Sequence, residues 1–245
     1  MLALLQKIMD DLLWPAVFVV FFWVLFFANE VYQWNLHIYG VHPRSIEGLV
    51  GILVMPFLHG DFNHLFSNTI PFLVSATFLF HFFERKGWTI FFLIWLISGL
   101  GIWVVGAERS IHIGASGLVY GLVAFLMTSG FIRRNKNLMA LAFILVFLYG
   151  SMVWGLFPQY SWFQEMNISW EGHLFGALAG VGLAIIYRKE GPTDDKDPFE
   201  DEDDERLPDW WIAMENERKA QEEQQKTVVR YVIRPRKEDK SSDNK

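Results

Sequence analysis

A serine surrounded by small residues stands at the start of one of the long apolar segments of this chain. It lies in the sequence Gly114-Ala115-Ser116-Gly117, and an apolar run follows it as far as Ser129. A serine hydroxyl becomes a useful nucleophile when a neighbouring base takes its proton. Because serines are common in membrane helices, Ser116 indicates hydrolytic chemistry only if another segment brings a base to the same depth.

The candidate base is a histidine in a second glycine-rich apolar segment. His173, Gly176 and Gly180 recur at i, i+3 and i+7, so they share one helix face. Small residues at four-residue spacing let helices approach closely in lipid. Both segments have them, at Gly117 and Gly121 and at Gly172, Gly176 and Gly180. Two such helices could bring the Ser116 hydroxyl within hydrogen-bond reach of the imidazole, although glycine ladders often serve only to pack helices.

Further polar residues suggest how such a pair would be supported. His64 and Asn68 are four residues apart, and therefore on one face of a third apolar segment. Together with the backbone N–H of Ser116 they could donate hydrogen bonds to the oxyanion of a tetrahedral intermediate. The alternative is a polar pair whose members satisfy each other between helices. Tyr120, one helical turn after Ser116, could pack on the His173 imidazole and orient it.

The other ionisable residues do not add a metal site or a third catalytic member. His59 precedes His64 by five residues with no Glu between them, which is not the spacing of a His-Glu-x-x-His zinc helix. His112, in the loop before Ser116, is interpreted as support rather than as the base. Glu171, two positions before His173, should point to another face, so we predict a Ser/His dyad. Three histidines have no partner by sequence: His37, His42 and His81.

Two further exclusions follow from the sequence. Residues 114–118 are not a Gly-x-Ser-x-Gly nucleophile elbow, because the last position is leucine and no strand precedes it. The chain contains no cysteine, which excludes disulfides, thiol catalysis and thiolate metal ligands. We therefore expect neither a metal nor another cofactor.

The elements that must hold these residues are apolar helices. Six segments approach the length of about 20 apolar residues that a membrane span needs; they cover about residues 12–28, 63–83, 88–107, 113–131, 138–157 and 170–187. Pro15 is expected in the first turn of the first helix and Pro71 inside the second. The apolar stretch 48–58 is too short to span and suits a re-entrant or interfacial piece.

Charge divides the chain and orients it. The net charge is +1 through Lys189 and −7 from there to the C-terminus, which predicts a membrane domain over residues 1–189 and an acidic tail over 190–245. Eight basic residues flank the spans on one side, and two, Arg44 and Arg109, lie on the other. By the positive-inside rule both termini are cytoplasmic. The second, fourth and sixth spans then enter from the outer side with His64, Ser116 and His173 at one depth.

The tail is predicted to be a disordered, solubilising cytoplasmic segment. Residues 200–205 form an acidic run, Trp210 and Trp211 begin a stretch that could be helical to Gln225, and residues 228–233 are strand-like. A docking role for the two tryptophans is the alternative.

These motifs resemble those of the rhomboid family of intramembrane serine proteases. Residues 114–117 match its Gly-x-Ser-Gly, and His173 with Gly176 and Gly180 matches its His-x-x-Gly-x-x-x-Gly helix. A third match covers its His-x4-His-x3-Asn segment, at His59, His64 and Asn68. The matches span about residues 44–187 in the family's order. One departure lies in the first outer loop, where Pro43-Arg44 stands in place of a Trp-Arg pair.

The resemblance implies an all-α, six-helix bundle with a water-filled cavity open to the outer face. It assigns Ser116 as nucleophile and His173 as general base, and gives the oxyanion hole to His64, Asn68 and the Ser116 amide. Tyr120 matches the ring that stacks on the catalytic histidine. The implied partners are transmembrane protein substrates and membrane lipid, with no nucleic acid and no metal. The expected location is a bacterial inner membrane.

Access to such a site leads to two hypotheses, and two rival functions stay open. The connection 158–169 could cap the cavity through Phe163 or Met166, and the fifth span could form a lateral gate against the second. The first rival is a catalytically silent rhomboid-like protein that binds membrane clients. The second is a transporter or metal channel that uses several histidines: His59, His64, His112 and His173.

Overall fold

The structure, a computed structural model, describes residues 2–148, 169–192 and 209–226, and its regular elements are helical. Eight α-helices are present in this part of the chain: α1 (Leu2–Tyr32), α2 (Ile46–Val54), α3 (Phe62–Phe82), α4 (Gly87–Val105), α5 (Ser116–Arg133), α6 (Lys136–Leu148), α7 (Trp170–Ile186) and α8 (Asp209–Lys226). Short 3-10 helices cover Leu36–Tyr39 and Met55–Phe57. The all-α class predicted from the sequence is therefore confirmed over the described residues.

Among the described residues, four helices are long and apolar enough to cross a membrane: Gln6–Tyr32 within α1, and the whole of α3, α4 and α5. They correspond to the first four predicted spans. Helices α6 and α7 are apolar but shorter, with 13 and 17 residues. The predicted fifth span runs to residue 157, and residues 149–157 lie outside the described residues, so the count of six spans stays a prediction.

Two predicted helix starts are wrong, each for a local reason. Helix α1 begins at Leu2, so Pro15 lies in its interior and not in its first turn. The residues before Pro15 are mostly strong helix formers, which extend the helix beyond the hydropathic span. Helix α5 begins at Ser116 rather than at residue 113, because Gly114 has a φ of 106°, outside the helical region. Asp61 caps α3 by accepting a hydrogen bond from the His64 amide at 2.9 Å.

Large aromatic side chains fill the space between α1 and its neighbours. Phe22 on α1 and Phe72 on α3 are both fully buried, and their ring centroids lie 5.1 Å apart. The Trp23 indole N–H donates to the Thr69 hydroxyl at 3.1 Å. Two ionisable pairs join α1 to the C-terminal end of α3, where His81 contacts Asp11 at 2.8 Å and Lys7 pairs with Glu84. His81 therefore has a partner, 70 residues away, that its own sequence neighbourhood did not indicate.

Glycines replace side chains between α5 and α7. A Cβ atom at Gly121 would lie 2.8 Å from the Gly176 carbonyl oxygen, and one at Gly176 would overlap the Gly117 carbonyl oxygen. At the far end of the pair, buried Arg133 donates to the carbonyl oxygens of Tyr187, at 2.6 Å, and Glu190. The two backbones are therefore in direct contact along the middle of the pair.

The connection between α1 and α3 packs on α4 through short helix α2. The Trp95 indole donates to the Ile52 carbonyl and the Trp103 indole to the Ser45 carbonyl, each at 2.7 Å. Arg44 donates to the carbonyls of Val104 and Gly106 at 3.1 and 2.9 Å. These contacts fix the connection between α1 and α3, which has Pro43-Arg44 in place of a Trp-Arg pair.

Contacts divide the chain into two units, Met1–Asp195 and Lys196–Lys245. Helix α8 belongs to the second unit and occupies the stretch where the sequence predicts a helix. It presents Trp210 to solvent and forms ion pairs from Arg218 to Glu215 and Glu222. The acidic run 200–205 and the strand-like stretch 228–233 lie outside the described residues.

Candidate active site

The nucleophile candidate is held at a helix start by the loop before it. Ser116 is the first residue of α5. The turn that precedes it needs the left-handed backbone of Gly114, whose amide donates to the Met55 carbonyl at 2.8 Å. The first amides of a helix have no acceptor within the helix. The Ser116 N–H can therefore donate to an acceptor outside the helix that lies beside the Ser116 hydroxyl.

The base candidate is next to it on α7. His173 is the fourth residue of α7 and is buried. Its Nε2 lies 2.8 Å from the Ser116 Oγ. The direct backbone contact of Gly117 with Gly176 makes this distance possible, because a Cβ atom at Gly176 would overlap the Gly117 carbonyl oxygen and separate the two helices. A serine hydroxyl at this distance can donate its proton to the neutral imidazole.

Tyr120 covers one face of the His173 ring. The two ring centroids are 4.0 Å apart and the planes differ by 6°. Tyr120 comes one helical turn after Ser116 and so projects from the same side of α5. A stacked ring restricts rotation of the imidazole while leaving its nitrogens in plane for hydrogen bonds.

His64 packs against the loop before Ser116, and Asn68 follows it by one helical turn of α3. An added Cβ at Gly114 would be 2.5 Å from the His64 Nε2, so the imidazole packs directly on the backbone two residues before Ser116. Buried Asn68 donates one amide hydrogen to the His64 carbonyl at 2.9 Å. That bond is within α3, whereas the alternative drawn from the sequence was a pair satisfied between helices. It leaves a second amide hydrogen on Asn68.

His59 is enclosed between rings. Its imidazole lies 5.4 Å from the Phe22 ring and 5.2 Å from the His64 ring, centroid to centroid. Neither ring nitrogen has a hydrogen-bond partner among the described residues. Burial, with the neighbouring His64 imidazole, lowers the pKa of His59 to about 3. His59 is therefore neutral at physiological pH and contacts the edge of the site through His64.

His112 forms a polar link that the sequence did not reveal. Its Nε2 lies 2.7 Å from the Ser110 Oγ, and its Nδ1 lies 2.6 Å from the Ser169 Oγ. Burial lowers the pKa of His112 to about 4. The sequence suggested only a supporting role in the loop, because Ser169 is 57 residues away and belongs to no recognisable motif.

The remaining predicted elements are only partly described. Asp61 is engaged in capping α3, and Glu171 is buried in the first turn of α7. Helix α6 packs on α5, with the rings of Phe143 and Phe131 6.1 Å apart. Residues 149–157 of the predicted fifth span, and the two residues proposed for the cap, Phe163 and Met166, lie outside the described residues. Among the described residues there is no group of three or more His, Asp or Glu side chains that could hold a metal ion.

The chain is similar to known proteins over most of this region. The family described as "Rhomboid domain" matches residues 47–190, which is more than half of the chain. An uncharacterized protein of Mycobacterium tuberculosis is 35% identical over 177 residues, which cover 69% of this chain and 72% of that protein. An uncharacterized protein of Mycobacterium leprae is 31% identical over 177 residues, or 69% and 68% of the two chains.

A third relative has a descriptive name. The protein called "Putative rhomboid protease YdcA" in Bacillus subtilis is 25% identical over 175 residues, which cover 65% of this chain and 78% of that protein. The family match includes the glycine-packed helix pair and every residue of the candidate site. The chain is a multi-pass integral membrane protein and belongs to the rhomboid family.

Proposed function

We propose that this protein is an intramembrane serine endopeptidase that cleaves membrane-anchored proteins within or near their transmembrane segments. The observation that carries the proposal is the 2.8 Å distance between the His173 Nε2 and the Ser116 Oγ. The two residues are 57 positions apart in the sequence, and their helices meet through glycines. A serine beside a histidine is a pair of residue types that suits nucleophilic catalysis.

In the proposed reaction, His173 takes the hydroxyl proton as the Ser116 Oγ attacks the scissile carbonyl carbon. The C=O electron pair moves to oxygen and forms a tetrahedral oxyanion. On collapse, the C–N bond breaks and His173 gives its proton to the departing amine nitrogen, which leaves an acyl ester on Ser116. Water then repeats the cycle with His173 as base, and releases the acid and the free serine.

The oxyanion needs donors on the side of Ser116 away from His173. We assign this role to the Ser116 amide, the His64 imidazole and the second amide hydrogen of Asn68. The packing of His64 on Gly114 supports the assignment, since the His64 Nε2 lies against the serine loop and would donate there when protonated. His59, buried behind His64, is assigned a supporting role, as are the glycines at positions 114, 117, 176 and 180.

The proposal includes a location and a class of partner. We infer six spans in a bacterial inner membrane, with both termini and the tail 190–245 cytoplasmic. Water would reach Ser116 from the outer side, and a transmembrane substrate would enter from lipid between the second and fifth spans, under a cap formed by residues 158–169. No metal, nucleic acid or other cofactor enters the reaction.

The test is covalent labelling of purified protein by a fluorescent fluorophosphonate, together with cleavage of a transmembrane substrate in liposomes. We expect labelling of the wild type and none of Ser116→Ala, with cleavage by Ser116→Ala or His173→Ala reduced at least about 1,000-fold. Ser129→Ala is the matched control, because Ser129 is buried on the same helix at its other end.

The result can contradict the proposal in two ways. Cleavage retained by Ser116→Ala would exclude the serine as nucleophile. A wild-type protein that binds transmembrane clients but is neither labelled nor active would instead fit the catalytically silent alternative. Metal-dependent transport without labelling would fit the histidine channel.

A further inference from the structure

A polar link joins the loop that leads to Ser116 with the residue that starts the helix of His173. We propose that His112 is a positioning residue that holds these two segments in register, so that the imidazole of His173 stays on the Ser116 hydroxyl. The inference rests on the proposed protease function and extends it to a residue outside the dyad and the oxyanion hole.

On one side, His112 is fixed to the serine loop. Its amide and carbonyl form a two-bond bridge with Val41, at 3.0 and 2.9 Å. Two residues later the Gly114 amide is bonded to the Met55 carbonyl at 2.8 Å. The backbone of residues 112–114 is therefore anchored to the first outer connection immediately before Ser116.

On the other side, the link ends on the start of α7. Ser169 is the N-cap of α7, a position where a serine side chain normally accepts a hydrogen bond from the first turn. Here its hydroxyl makes no capping bond and lies 2.6 Å from the His112 Nδ1 instead. The Ser169 carbonyl accepts from the His173 amide at 3.3 Å, so one helical turn separates the link from the proposed base.

The neighbouring hydroxyl determines the direction of these hydrogen bonds. Ser110 donates its single hydroxyl proton to the Ala107 carbonyl at 2.6 Å, so toward His112 it acts as an acceptor. The His112 Nε2–H therefore donates to Ser110, and the unprotonated Nδ1 accepts from the Ser169 hydroxyl. Burial lowers the pKa of His112 to about 4, which keeps this neutral tautomer at physiological pH.

Loss of the link should change the reaction step more than substrate binding. Without it, the N-cap of α7 loses the side-chain hydrogen bond that ties it to the residues before Ser116. A displacement of the base by about 1 Å costs on the order of 100-fold in rate. We expect His112→Ala to lower kcat at least about tenfold while KM changes less than about twofold, and to lower the fluorophosphonate labelling rate by the same factor as kcat.

The experiment separates positioning from general stability by five further variants. An asparagine amide reaches about as far as Nδ1 and a glutamine amide about as far as Nε2, so His112→Asn should restore labelling to within about threefold of wild type and His112→Gln should not. Ser169→Ala should match His112→Ala, and the double variant should be no slower than either. Ser110→Ala, which removes the hydrogen bond between His112 and Ser110 but not the one to Ser169, is the control, and its labelling rate should stay within about twofold of wild type.

Each outcome decides the inference. Wild-type labelling by His112→Ala, equal rates for His112→Asn and His112→Gln, or additive effects of His112→Ala and Ser169→Ala would overturn it. If His112→Ala fails to fold, the Asn and Gln comparison still decides. A wild type that is neither labelled nor active overturns the proposed function and this inference together, whereas an active wild type with an unaffected His112→Ala overturns the inference alone.

Discussion

Two helix pairs in this protein are packed in opposite ways. Helices α1 and α3 are kept apart by aromatic rings, with Phe22 against Phe72 at 5.1 Å between centroids. Helices α5 and α7 touch through backbone, with the carbonyl oxygens of Gly117 and Gly176 where side chains would otherwise be. The candidate dyad lies on the second pair and the aromatic core on the first.

The difference shows how stability and precision can be supplied by separate contacts. An aromatic interface buries a large apolar area, and its rings can shift to absorb a small change. A backbone contact has no rotamers, so its distance is fixed and cannot adjust. Substitutions at the glycine contact should therefore lower the reactivity of Ser116 more than the stability of the protein. Substitutions at the aromatic contact should lower stability more than reactivity.

The largest effect is expected for Gly176→Ala. The added methyl would overlap the Gly117 carbonyl oxygen, a backbone atom that cannot move without moving α5. Separation of the helices by about 1 Å should lower the fluorophosphonate labelling rate of Ser116 on the order of 100-fold. Gly182→Ala is the matched control on the same helix, because nothing lies within 4 Å of an added Cβ there. Equal labelling of the two variants would refute the backbone-contact argument.

An intermediate effect of the opposite kind is expected for Phe72→Ala. Phe72 is fully buried between α1, α3 and α4, so its truncation leaves a cavity and should lower the free energy of unfolding by about 3 kcal/mol. Titration with sodium dodecyl sulfate in mixed micelles measures this change. Labelling of the folded protein should stay within about fivefold of wild type.

The control for Phe72 lies on the same helix. Phe66 is half exposed and stacks only on Phe62 among the described aromatic rings, so Phe66→Ala should cost less than about 1 kcal/mol. If Phe72→Ala abolished labelling without loss of stability, the proposed division between the two helix pairs would be wrong.

The smallest effect is expected for the interhelical hydrogen bond of the aromatic pair. Trp23→Phe removes the 3.1 Å bond to Thr69 but keeps a ring in place, and should cost about 0.6 kcal/mol of unfolding free energy. A double-mutant cycle with Thr69→Val isolates the bond. A coupling energy above about 2 kcal/mol would mean that α1 and α3 depend on this polar contact more than on their rings.

Periodicity explains what the sequence could predict. The spacing of Gly176 and Gly180 from His173 indicated both a close helix pair and the side on which the imidazole lies. Hydropathy located the helices because a membrane span needs apolar length. The same rule cannot mark where a helix continues past the predicted span, as α1 does on both sides of residues 12–28. The start of α5 depended on one backbone angle at Gly114, which a residue type permits but does not require.

Contacts between distant loops could not be predicted in the same way. From the sequence, Ser169 is an ordinary N-cap residue. The fold brings His112 close to it, and the Ser169 hydroxyl bonds to His112 instead of capping the helix. His81 and Asp11 are each unremarkable polar residues near helix ends, and their pairing follows from the packing of α1 on α3. Such links follow no sequence periodicity, because each depends on where the fold brings two distant segments of the chain together.

The glycine contact also limits how this protein can change by mutation. At a contact between peptide groups, what the sequence specifies is the absence of a side chain, and any single substitution at Gly176 adds atoms where there is no space. Few single substitutions should therefore be tolerated where α5 and α7 meet through glycine. Sequence variation should instead accumulate at positions away from this contact, such as Gly182, where an added Cβ meets nothing within 4 Å.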